Sequence, residues 1–170
     1  MKPPAIPLDF ITALPPIYRA VIPESFLDAN GHMNMRYYLH LFDDAGDIYV
    51  AQFGLTPEFH RMHTTGGFDL EHHIHYLREV RVGDSVTLYG RLVGASPKRI
   101  HYLLFMMHET NQTLAAIFEC VNSFADLSVR RTAPYPPEIY AVIQQRLAED
   151  ISLEWLAPLS GVMSATHSPV

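Results

Sequence analysis

The stretch from Met35 to Phe53 most constrains what this chain can fold into. Met35, Tyr38, Leu39, Phe42, Ala45, Tyr49 and Phe53 recur at three- and four-residue spacing, and Leu41 and Ile48 widen the stripe, so the segment reads as an amphipathic helix. A face this wide needs a partner along roughly 28 Å of helix, and a sheet is what can cover it. The residues that follow supply one. After Gly54, a helix stop, and a loop carrying Pro57, four β-like stretches occupy about 66–80, 84–95, 98–109 and 113–128.

Alternation within these stretches supports a half-buried antiparallel sheet. Val86, Leu88 and Leu92 share one face, as do Ile100, Tyr102, Leu104 and Met106, and as do Leu114, Ala116, Phe118 and Cys120. The links are short and turn-like: VGD at 82–84, ASP at 95–97 and TNQ at 110–112. Ahead of the helix, a β-type run from Ile17 to Ile22 ends at Pro23 and leads into a polar turn from Asp28 to Asn34. Residues 136–149, opened by Pro136 and Pro137, read as a second helix. The resulting order is β-α-β-β-β-β plus a C-terminal helix, an α+β chain with about five antiparallel strands wrapped around one long helix, as in the hot-dog fold. Such a sheet leaves an edge strand open, and pairing two sheets across a dimer protects it, so a homodimer or homotetramer is expected.

Domain organisation follows from the same pass. Pro3, Pro4, Pro7, Pro15 and Pro16 remove donors and fix φ, so residues 1–16 read as an extended surface arm. The domain is expected over 17–150, and 151–170 reads as a tail fading into small and polar residues. At 170 residues, 48% hydrophobic and 18% charged, the chain has enough apolar material for one core. A formal charge of −6 disfavours a nucleic-acid partner, which calls for a clustered basic excess. The N-terminus lacks the unbroken apolar stretch of a signal peptide, and no segment approaches the roughly 18 apolar residues of a membrane span. The lone Cys120 cannot form an intrachain disulfide, so the cytoplasm is the expected compartment.

Chemistry concentrates in Asp28-Ala29-Asn30-Gly31-His32-Met33-Asn34, placed just before a helix N-terminus, where free N–H groups and the dipole favour negative charge. Read structurally, Asn34 caps the helix, Gly31 makes the turn, and Asp28 and His32 decorate it. The string D-A-N-G-H-M-N, followed by Tyr37-Tyr38 and Phe42-Asp43-Asp44-Ala45, resembles the hot-dog acyl-CoA thioesterases of the 4-hydroxybenzoyl-CoA thioesterase type. That resemblance implies thioester hydrolysis without a metal or cofactor, coenzyme A entering only as part of the substrate. It also implies that Asp28, with Gly31 behind it, is the nucleophile or general base. The turn is also similar to that of plant acyl carrier protein thioesterases, whose Asp, Asn and His map onto Asp28, Asn30 and His32. Their further acidic residue, in a Y-R-R-E string, maps onto Glu79 of Tyr76-Leu77-Arg78-Glu79, where an ion pair with Arg78 or Arg81 is the plain alternative. The helix acid of the family motif maps onto Asp43, with Asp44 and Asp47 near it as solvated neighbours.

Thioester hydrolysis needs a carboxylate near the carbonyl carbon, a donor for the developing oxyanion, and a pocket that limits bulk water. The turn supplies the carboxylate, and a backbone N–H near Asn34 or Met35 supplies the donor, with Asn30 or His32 orienting substrate or protonating the leaving thiolate. Tyr38 belongs to the same helix start. Lys98-Arg99 and Arg130-Arg131 are the compact basic pairs available to phosphates, with a solvated turn as the alternative. Thr65 and Gly66, in Thr64-Thr65-Gly66-Gly67, offer close backbone approach to an acyl or pantetheine group, or a plain turn. Glu71, His73 and His75 share a strand face, but no second histidine cluster supports a metal there. Two longer strings, residues 68–84 and 130–138, look like stretches of thioesterases of carnitine breakdown that act on betainyl-CoA. A trimethylammonium head would want aromatic faces, and Tyr37, Tyr38 and Phe42 are near in sequence. Hot-dog folds also host hydratases and acyl-CoA sensors. The chain lacks the hydratase-like N-P-x-H string and room for a DNA-binding segment, while an acyl-CoA binding protein without turnover stays open.

Overall fold

The computed structural model describes residues 6–166. Its elements run in the order α1 (Leu8–Thr12), β1 (Pro16–Val21), a 3-10 turn (Glu24–Phe26), α2 (Met35–Ala51), α3 (Pro57–His63), β2 (Thr65–Tyr76), β3 (Ser85–Ser96), β4 (Arg99–His108), β5 (Thr113–Asp126), β6 (Arg131–Thr132) and α4 (Pro137–Ile151). The strands lie in the order β1-β3-β4-β5-β2, with β6 added to β5. β1 runs antiparallel to β3, pairing Ala20 with Val86 and Val21 with Ser85. β3, β4 and β5 are sequential neighbours joined by short turns, which only antiparallel strands allow. β2 opposes β5, since Leu127 N–H bonds Thr64 O beyond one end and Leu77 N–H bonds Ala115 O beyond the other. This is the hot-dog order.

The chain divides into two compact units that draw on the same strands. The first holds the residues up to Tyr49, Ile74–Gly90 and Leu104–Phe118. In it α2 buries Tyr38, Leu41, Phe42, Ala45 and Tyr49, and Phe42 stacks on Phe118 of β5 with centroids 5.1 Å apart. Gly90 of β3 lies where any side chain would collide, since a Cβ there would be 2.5 Å from Ile17 Cδ1 and 2.8 Å from Tyr49 Cε2. The missing side chain is what lets β1 and α2 close over β3.

The second unit holds Val50–His73, Arg91–Leu103 and the residues from Glu119 on. Here the sheet face away from the alternating apolar set carries buried charge. Arg91 donates from Nε and Nη2 to Asp150 O and from Nη1 to Trp155 O, with its guanidinium 4.2 Å from the Trp155 ring centre. Asp150 Oδ2 accepts from Leu92 N–H at 2.7 Å and Arg146 Nε at 2.9 Å. On β5, Glu119 accepts from His101 Nε2 at 2.9 Å and from Ser160 N–H at 2.7 Å.

Several expectations are corrected. The stretch 6–16 is not extended throughout: α1 forms within it and buries Ile11, while residues 1–5 of the expected arm lie outside the described residues. Within the small and polar tail Trp155, Met163 and Ala165 are buried; its residues 167–170 lie outside the described ones. Pro57 opens a helix rather than sitting in a loop: Thr56 accepts from Phe59 N–H as N-cap and Pro57 takes the first turn, where its missing donor costs nothing. α2 ends at Ala51, and Met35, Leu39 and Ile48 from its expected stripe are exposed. The strand expected over 66–80 ends at Tyr76, where Leu77 and Arg78 N–H groups converge on one carbonyl, Ala115 O, and the chain leaves the ladder.

Candidate functional site

The loop entering α2 is built by its own backbone. Leu27 and Met33 form an isolated bridge, and Asp28 N–H bonds His32 O at 3.0 Å. Gly31, at φ +82°, supplies the left-handed turn between them. Asn34 caps the helix: its Oδ1 accepts from Arg36 N–H at 3.1 Å. Phe26 anchors the loop to the helix by stacking on Tyr37, with centroids 4.0 Å apart. Met33 N–H reaches across to Val80 O at 2.8 Å.

A pocket of about 490 Å³ opens between this loop and the segment after β2. Asp28, His32, Asn34 and Met35 line it from the loop and helix start; Tyr38 follows one turn on. Tyr76, Arg78 and Glu79 form the facing wall. The Asp28 carboxylate is oriented by Asn30 N–H, 2.8 Å from Oδ1, and its Oδ2 lies 3.5 Å from His32 Nδ1. The two backbone donors expected for an oxyanion now separate. Asn34 N–H is bonded to Phe26 O at 2.9 Å, whereas Met35 N–H, first of the helix, has no acceptor among the described residues. Tyr38 donates its hydroxyl to Arg78 O at 3.2 Å. Burial pushes its pKa up to about 12, with the Val80 backbone opposing, so it stays a neutral phenol.

The site residues named from sequence divide accordingly. Asp28, His32, Asn34, Met35, Tyr38 and Glu79 meet at the pocket. Glu79 also forms the ion pair with Arg81 that was its alternative reading. Asn30 and Gly31 shape the turn rather than line the pocket; what Asn30 contributes is its backbone N–H. Asp43 is exposed on α2, and its neighbour Asp44 accepts from Tyr18 at 3.4 Å. Thr65, Gly66, Lys98 and Arg99 belong to the second unit. There Thr65 Oγ1 pairs with His60 Nδ1 at 3.0 Å, and a Cβ on Gly66 would meet the Leu127 side chain at 3.3 Å, so packing accounts for the glycine. Lys98 contributes its carbonyl, to Phe124 N–H. Among the described residues no three His, Cys, Asp or Glu side chains are grouped to hold a metal, Glu71, His73 and His75 included.

Met33, Tyr76, Leu77 and Arg78 line the pocket without having been singled out as site residues by the sequence pattern. The signal for the last three was the Y-L-R-E string, but its closeness to a turn more than 40 residues upstream exists only in the folded chain.

Comparison with known proteins matches this architecture. Residues 22–143 fit the family model described as the Thioesterase-like superfamily. The betainyl-CoA thioesterase of Pseudomonas aeruginosa is 30% identical over 124 residues, covering 73% of this chain and 77% of that protein. The L-carnitine dehydrogenase/betainyl-CoA thioesterase of Agrobacterium fabrum is 28% identical over 79% of this chain, which spans only 27% of that relative's length. Among solved structures, a Staphylococcus aureus protein in complex with CoA superposes with a TM-score of 0.79 at 23% identity, covering 89% of this chain and 96% of that one.

Proposed function

Because this chain belongs to the Thioesterase-like superfamily, we propose that it hydrolyses an acyl thioester of coenzyme A in the pocket between the Asp28 turn and the Tyr76–Glu79 wall. One observation carries the reading: an oriented carboxylate, Asp28, lines the same pocket as Met35, whose helix-start N–H has no acceptor among the described residues. The thioester carbonyl oxygen would accept from Met35 N–H as it gains charge. Asp28 then acts in one of two ways. As base it takes a proton from water, which attacks the carbonyl carbon and expels the thiolate. As nucleophile it forms a mixed anhydride that water opens. Both routes yield the free acid and coenzyme A, and His32, 3.5 Å from Asp28, would return a proton to the sulfur.

The names of the relatives favour a small cationic acyl group, the betainyl ester. Lys98 and Arg99 remain the candidate phosphate contacts. No helix among the described residues is long and apolar enough to cross a membrane, and a coenzyme A substrate fits the cytoplasm. A homodimer or homotetramer belongs to the same reading. β2 is a 12-residue edge strand with Phe68 65% exposed, a surface that a second copy would cover.

Thiol release from a panel of acyl-CoA esters by wild type and Asp28→Ala tests the proposal. Turnover on at least one ester, reduced about 10²-fold or more in the variant at unchanged folding, is expected. A wild-type protein that binds coenzyme A yet turns over no ester would make it a binding protein instead.

A further inference from the structure

We propose that Tyr76, backed by the buried ring of Tyr38, forms the acyl-head subsite of this pocket and selects a quaternary ammonium group over an uncharged head of the same shape. This rests on the thioesterase reading above and assigns its specificity to two residues.

Of the aromatic rings near the turn in sequence, two are unable to serve. Tyr37 has one face stacked on Phe26 at 4.0 Å and the Arg36 guanidinium 4.6 Å from its ring centre. Phe42 is fully buried against Phe118. Tyr38 lines the pocket, and Tyr76, from the end of β2, meets it edge to face at 5.1 Å and 87°. Tyr38 is only 5% exposed, so it backs the pair rather than offering a face of its own. The bond from Tyr38 to Arg78 O holds one ring in place, and Tyr76, 48% exposed, leaves the other accessible to a ligand.

The wall's polar groups narrow the kind of cation further. An –NH₃⁺ head needs free acceptors. Yet Leu77 O accepts from Arg78 Nη1 at 3.5 Å, Arg78 O from Tyr38, and Val80 O from Met33 N–H, while Glu79 is engaged by Arg81. The backbone oxygens of the wall beside the rings are thus already engaged. A methylated ammonium needs no acceptor and is held by ring faces and neighbouring negative charge. The carboxylates of the lining are Asp28 and Glu79, the latter paired with Arg81, and its guanidinium is that of Arg78.

The test compares kcat/KM for betainyl-CoA and for tert-butylacetyl-CoA, in which carbon replaces the quaternary nitrogen at the same shape. Wild type should favour the cationic ester about 10-fold. Tyr76→Leu, apolar without a π face, should bring the ratio close to one, and Tyr76→Phe should restore it. Circular dichroism and light scattering on each variant separate misfolding from lost selectivity. A ratio near one in wild type, or one unchanged in Tyr76→Leu, overturns the assignment while leaving the thioesterase reading intact. Hydrolysis of neither ester, nor of any other in the panel, overturns both.

Discussion

Asp28 and Glu119 are both carboxylates that accept from a backbone N–H, and their surroundings separate their roles. Asp28 opens onto a pocket; Glu119 is 3% exposed, with His101 on one oxygen and Ser160 N–H on the other. Burial alone would raise the pKa of Glu119, but the hydrogen bonds from His101 and Ser160 outweigh it and hold the carboxyl below its ordinary value. Its folded pKa is therefore depressed. The stability this supplies is present above the ordinary carboxylate range and is lost as pH falls through the folded value. Glu119→Gln should cost about 2 kcal/mol at pH 7, and urea unfolding should show the gap to wild type closing below about pH 4. A gap constant with pH would mean that packing, not the charge, holds Ser160.

Packing between elements converges on Gly90, where β1, α2 and β3 meet. A methyl group there would press on the Cδ1 end of the part-buried Ile17 and on the ring of the fully buried Tyr49. Gly90→Ala is accordingly expected to lower stability by about 1–3 kcal/mol, measured as a drop in denaturation midpoint at constant m-value. A neutral substitution would show that Ile17 can turn away. At this scale the sequence was highly legible. α2 announced itself by its spacing, and β1 to β5 and α4 appear within a few residues of where alternation and turns put them. The misses have physical causes. α3 is only seven residues long and opens with a proline, and α1 is a single turn inside a proline-rich run, so neither is long enough to show a helical period. β4 is buried along nearly its whole length, so the faces of its strand were only half described by alternation.

For the whole molecule, the exposed length of β2 sets the next test. Phe68→Asp places charge on an edge strand that the proposed assembly would bury, and it should shift the mass found by light scattering from dimer or tetramer toward monomer. Wild type behaving as a monomer at micromolar concentration would remove the assembly from the proposal. What the sequence determined by itself was local and periodic. It specified the helix, the strands, their order and the polar turn carrying Asp28, because spacing and turn chemistry act over a few residues. What only the tertiary structure decided was which distant groups share a space. Tyr76 comes to lie beside Tyr38, Asn34 N–H is taken by Phe26 O while Met35 N–H has no acceptor among the described residues, and Asp43, Thr65 and Gly66 lie outside the lining of this pocket. Such outcomes depend on strand register and on where each backbone group finds its partner, and neither is written in any one stretch of residues.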